Sequence, residues 1–93
     1  LMDHEFNESE KAKLRKIILS HSHIKGYHDL KTRYAGHKPF IQFHIELDKN
    51  MSVRRSHDIV EEIQSQIYKA FEGAEIIIHQ DPDDADEHKQ FHN

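Results

Sequence analysis

Imidazole and carboxylate groups are the side chains with which this chain can do chemistry. Ten of its 93 residues are histidine and none is cysteine. Neutral imidazole is the commonest metal ligand, so a metal site here would be built from nitrogen and oxygen. The lack of thiols excludes a disulfide scaffold, a thiolate zinc finger and a thiol nucleophile. Spacing then selects among the histidines. His79 and Asp81 stand two apart at the end of the apolar run Ile76-Ile77-Ile78, so on a strand both side chains leave one face of the sheet. His28 belongs to one strand-like stretch and His44 to the polar side of another. A hairpin would set those strands about 4.8 Å apart and let the two rings approach. His57, with Asp58 beside it, stands at the start of a helical stretch. Several imidazoles and a carboxylate that can converge make a zinc site. Taken singly, each of these residues is ordinary, because an isolated strand histidine is usually a solvated or satisfied one.

The elements that must position them follow from periodicity. A first helix is predicted from about Asn7 to Ser20: Asn7 can cap it, Glu10 completes a box-like start, and Leu14, Ile17 and Ile18 form one apolar stripe. After Gly26 a strand is predicted over Tyr27 to Tyr34, with His28, Leu30, Thr32 and Tyr34 on one face. Ala35 to Pro39 suits a hairpin connection. Phe40 to Leu47 alternates cleanly, with Ile41, Phe43, Ile45 and Leu47 on one face and Phe40, Gln42, His44 and Glu46 on the other. Ser52 can cap a second helix reaching about Phe71, with Ile59, Val60, Ile63 and Ile67 in its stripe and Gly73 placed to end it. A third strand is expected over Glu75 to His79, with Pro82 stopping the ladder. The order is α-β-β-α-β: an α+β fold, a three-stranded mixed sheet with two helices on one face. The other sheet face then lacks a cover, which a second copy of the chain would supply. Phe40 and Tyr34 are candidates for that contact.

Length and charge narrow the function. A chain of 93 residues makes one domain with a thin core, and such domains often gain stability from a metal or from oligomerisation. With 17 acidic against 13 basic residues and a net charge of -4, it lacks the basic face that nucleic acid needs. No apolar stretch approaches the roughly 18 residues that cross a bilayer, and no leader is visible at Leu1. Leu1 ahead of Met2 suggests a piece of a longer protein. The tail, residues 83–93, is acidic and polar and is expected to be disordered, its His88 and His92 solvated. His21 and His23 fall in a connection with His37 in another, and Arg54-Arg55 reads as a solvated helix start.

Four stretches together resemble one family: Leu1-Met2-Asp3, Gly26-Tyr27-His28-Asp29-Leu30-Lys31-Thr32-Arg33, Phe40-Ile41-Gln42-Phe43-His44-Ile45-Glu46 and Ile76-Ile77-Ile78-His79-Gln80-Asp81-Pro82. With the Ser52–Phe71 helix in register between the last two, the chain up to Pro82 is similar to the C-terminal domain of cation diffusion facilitators, in their bacterial ferrous-iron and zinc efflux branch. The resemblance implies a metallochaperone-like, ferredoxin-like fold and a domain spanning residues 1–82. That domain would follow the transmembrane helices of the same polypeptide, lie at the cytoplasmic face of the inner membrane and pair as a homodimer. It implies metal ligands at His28, His44, His57, His79 and Asp81, holding Zn²⁺ or another divalent cation such as Fe²⁺, Cd²⁺ or Mn²⁺. It places His4 near the membrane junction. The expected mechanism is a metal-linked clamp, and with no nucleophile, base and oxyanion donor apparent together no catalysis is expected. A free-standing metal carrier or sensor of the same fold, and a zinc hydrolase with an open metal position, are the rivals from other classes.

Overall fold

The computed structural model describes residues 3–83. Helix α1 (Glu8–Leu19) starts as its capping box dictates: the Asn7 side chain accepts from the Glu10 N–H at 2.8 Å, and Glu10 Oε1 accepts from the Asn7 N–H at 2.8 Å. Helix α2 (Val53–Ala70) is capped by the Ser52 hydroxyl, which accepts from the Arg55 N–H at 3.0 Å. Between and after them run β1 (Gly26–Ala35), β2 (Lys38–Asp48) and β3 (Glu75–Asp83). The sheet order is β1-β2-β3, antiparallel between β1 and β2 and parallel between β2 and β3. A two-residue turn with Gly36 at φ 62° closes the hairpin.

The core lies on one side of this sheet. Ile41, Phe43, Ile45 and Leu47 of β2 meet Leu14 and Ile18 of α1 and Ile59, Ile63 and Ile67 of α2, all essentially inaccessible. Removing such a side chain from water contributes roughly 1.5–3 kcal/mol, so the even-odd alternation of β2 is what holds both helices to the same face. His44 and Glu46, alternating with those residues, must then point to the face the helices leave open.

Two expectations about the strands are corrected. First, β1 does not alternate uniformly. His28 pairs with His44 and Lys31 with Gln42, so three steps on β1 match two on β2, and Asp29 takes φ 54° at the irregularity. This bulge turns the strand over. His28 shares the open face with Lys31 and Arg33, whereas Leu30, Thr32 and Tyr34 face the helices. Tyr34 therefore belongs to the core side: its ring packs on Phe6 at 4.7 Å and its hydroxyl donates to Glu10 Oε2 at 2.7 Å. Burial, followed by that hydrogen bond, pushes the Tyr34 hydroxyl up to about 12, and the same bond leads in holding Glu10 below the usual carboxylate value. Second, Pro82 does not stop the third strand, which pairs on through Leu47↔Pro82 to Asp48↔Asp83. Strand β3 is an edge strand, and an edge tolerates a residue without an N–H. Pro39, expected in the turn, likewise lies in β2 before its pairing with β3 begins.

Candidate metal centre

The register of the sheet builds two rungs across the open face. In one, His28, His44 and His79 stand side by side on the three strands; in the next, Gly26, Glu46 and Asp81 do. The imidazoles stack, with ring centroids 4.8 Å apart between His28 and His44 and 4.5 Å apart between His44 and His79. Asp81 reaches across to the first two: its Oδ2 lies 3.2 Å from His28 Nε2 and 3.0 Å from His44 Nδ1. Glu46 Oε2 lies 3.0 Å from the other nitrogen of His28, Nδ1. The site is open to solvent, with side-chain exposures of 42% for His28, 28% for His44 and 37% for Asp81.

The donor set fits a divalent cation. Among the described residues, one ligand atom each from His28, His44 and Asp81 lies within 4.8 Å of the other two. Ligands about 2.0–2.2 Å from a tetrahedral zinc stand about 3.3–3.5 Å apart. The observed nitrogen–oxygen separations of 3.0 and 3.2 Å are close to that spacing, and the third separation lies within 4.8 Å.

Of the five residues singled out in the sequence, three thus form the group and His79 stacks beside it, its Nε2 3.5 Å from Gln42 Nε2. His57 stands apart. It lies on α2, on the helix-covered side of the sheet, exposed and 3.4 Å from Glu61 of its own helix. Sequence reasoning missed Glu46. The signal was present: His44-x-Glu46 on β2 repeats the spacing of His79-x-Asp81 on the parallel β3. Of the other histidines, His21 pairs with Glu62 of α2 at 2.5 Å, His4 forms a bridge with Tyr34, and His37 is exposed in the hairpin turn. His88 and His92 lie outside the described residues, as does all of the expected tail beyond Asp83.

Residues 6–83 match the family model described as the cation efflux protein, cytoplasmic domain. The chain belongs to that family. The cation efflux domain is similar to protein p34 of Rickettsia rickettsii, 48% identical over 91 residues, which cover 98% of this chain and 30% of p34. It is also similar to the cation-efflux pump FieF of Shewanella oneidensis, 44% identical over 82 residues, covering 88% of this chain and 28% of FieF. It spans less than a third of the length of these relatives. Among solved structures, CzrB, described as a candidate zinc transporter, superposes with a TM-score of 0.78 at 28% identity over 84% of this chain and 98% of that one. The zinc form of CzrB matches with a TM-score of 0.67 at 32% identity over 82% of this chain and 83% of that one. The α+β fold is therefore that of cation efflux domains, and the family is one of transporter domains, not of enzymes. Among the described residues no helix is long and apolar enough to cross a membrane.

Proposed function

We propose that residues 1–82 are the metal-sensing, dimerising domain of a divalent-cation efflux transporter, and that zinc is held on the open sheet face by His28, His44 and Asp81. The observation that carries this reading is the convergence of those three side chains from three strands onto one point. Zinc is the cation chosen for this reading because the related CzrB has been solved in a zinc form. His79, next in the same rung, supplies a fourth nitrogen by a ring rotation. His57 lies on α2, which covers the opposite side of the sheet, and has no part in this group.

Dimerisation follows from the same face. Beyond the histidines it carries Phe40 and Ile77, the latter 48% exposed, around a shallow cavity of about 330 Å³ rimmed by Lys31, Arg33, Gln42 and Glu75. Without metal, the carboxylates of two copies brought together here repel. A dication cancels that charge and ties the copies into one arrangement, shifting the population toward it by its differential affinity. In the longer protein the shift passes to the membrane helices at the cytoplasmic side. Zinc calorimetry tests the site: His44→Ala and Asp81→Ala should lose binding while His37→Ala, in the hairpin turn, keeps it. Equal affinities for all three variants would remove the site.

A further inference from the structure

Building on that metal site, we propose that Glu46 is a positioning residue, which holds the ring of His28 so that Nε2, and not Nδ1, meets the metal. The two nitrogens of His28 face different carboxylates: Nε2 lies 3.2 Å from Oδ2 of Asp81, a member of the three-residue group, and Nδ1 lies 3.0 Å from Oε2 of Glu46, which is not. With a cation between Nε2 and Asp81, the proton of His28 resides on Nδ1 and is donated to Glu46. A carboxylate on the far nitrogen of a metal-bound imidazole fixes tautomer and ring plane and makes the ligand more basic.

The placement of Glu46 is suited to that work. It stands on the central strand, its carbonyl accepting from the Lys25 N–H at 2.8 Å, with Asp81 beside it in register on the other side. Its other neighbour in the rung is Gly26. A Cβ there would stand in ordinary contact with the Glu46 carboxylate, 3.4 Å from Oε1. His28 directly precedes the bulge at Asp29, where the ladder is interrupted.

The test is zinc calorimetry on the wild-type chain and on E46A, E46Q, H44A and D81A. Thermal denaturation of each metal-free protein checks that the fold is intact, and the nitrogen resonances of His28 are recorded by NMR with zinc bound. Removing such a partner typically costs 10–100-fold in metal affinity, so E46A should fall in that range. E46Q, whose amide oxygen still accepts from Nδ1–H, should stay within about threefold of wild type on the same reasoning. The wild-type spectrum should show Nε2 on the metal and a proton on Nδ1, and E46A should lose that single pattern. Wild-type affinity in E46A, ligation through Nδ1, or an E46Q as weak as E46A (which would make Glu46 a ligand) overturns the proposal. Unchanged affinity in H44A and D81A overturns the metal site itself and Glu46 with it, whereas loss in those two alone overturns only the positioning.

Discussion

Two of the places where an imidazole meets a carboxylate, the one at His21 and the one on the open sheet face, are built differently. His21 lies 2.5 Å from Glu62, with its side chain only 13% exposed, and joins the link after α1 to the flank of α2. One ring meets one carboxylate there, contributed by elements that pack together anyway. On the open face, Asp81 meets two rings, Glu46 meets one of the same rings from behind, and a third ring stacks alongside. Nothing in residue type separates the two places. Register does: three strands deliver identical side chains to one rung, while a loop and a helix deliver a single pair. The first geometry gathers ligands around a point; the second closes a hydrogen bond.

The sharpest break of this comparison is at Asp81. Asp81→Ala should weaken zinc binding by on the order of a hundredfold or more, beyond the 10–100-fold typical of a supporting residue, as measured by calorimetry. His21→Ala should leave zinc affinity unchanged and cost about 1 kcal/mol or less of stability, the range for an ion pair with an exposed partner. The reverse pattern would exchange the roles of the two places.

Protons sharpen it further. A histidine must be neutral to ligate, and free imidazole takes up its proton near pH 6.5. Zinc affinity should therefore fall by on the order of tenfold per ligating imidazole between pH 7.5 and 5.5, and the stability that zinc adds, present at neutral pH, should vanish as pH falls. An affinity that does not change between those values would mean that carboxylates alone hold the ion.

On the covered side of the sheet, the bond between Tyr34 and Glu10 should affect stability and not metal. Tyr34→Phe should cost about 1 kcal/mol, read by chemical denaturation at pH 7, with zinc affinity unchanged. Because burial and Glu10 raise the Tyr34 hydroxyl from 10.0 to about 12, the fold favours the neutral phenol. Its contribution is intact below pH 10 and is lost as pH rises through about 12. Glu10, held below 4.5, behaves oppositely: its contribution is present above pH 4.5 and lost as pH falls. The smallest change expected in the single chain is at Ile77, whose exposure means that Ile77→Asp should hardly move the melting temperature. Light scattering should nevertheless show weaker self-association of this variant with zinc present. Undiminished association would place the dimer contact elsewhere.

Much of this arrangement was legible in the sequence, and the exceptions have physical causes. Leu14 and Ile18, the stripe Ile59-Ile63-Ile67 and the alternation from Ile41 to Leu47 fixed element types, because burying apolar area on one face leaves little freedom. The capping box at Asn7 and Glu10 set the start of α1 to the residue. The face of Tyr34 was misjudged because one inserted residue at Asp29 reverses everything after it, and nothing about Asp29 itself announces a positive φ. The extension of β3 past Pro82 depended on knowing that β3 is an edge. Spacing pointed to His28, His44, His57, His79 and Asp81, of which the structure groups His28, His44 and Asp81, but Glu46 was passed over because an acid on a polar strand face is ordinary until its register with Asp81 is known.

The central claim is that strand register, rather than histidine content, makes the metal centre. Adding zinc in sub-stoichiometric steps while following the imidazole resonances of all histidines by NMR tests it most directly. The account predicts that His28 and His44 respond first and together, with His79 beside them, while His21 and His37 keep their positions. A first response at His21 and His23, or a uniform small shift of every imidazole, would contradict it.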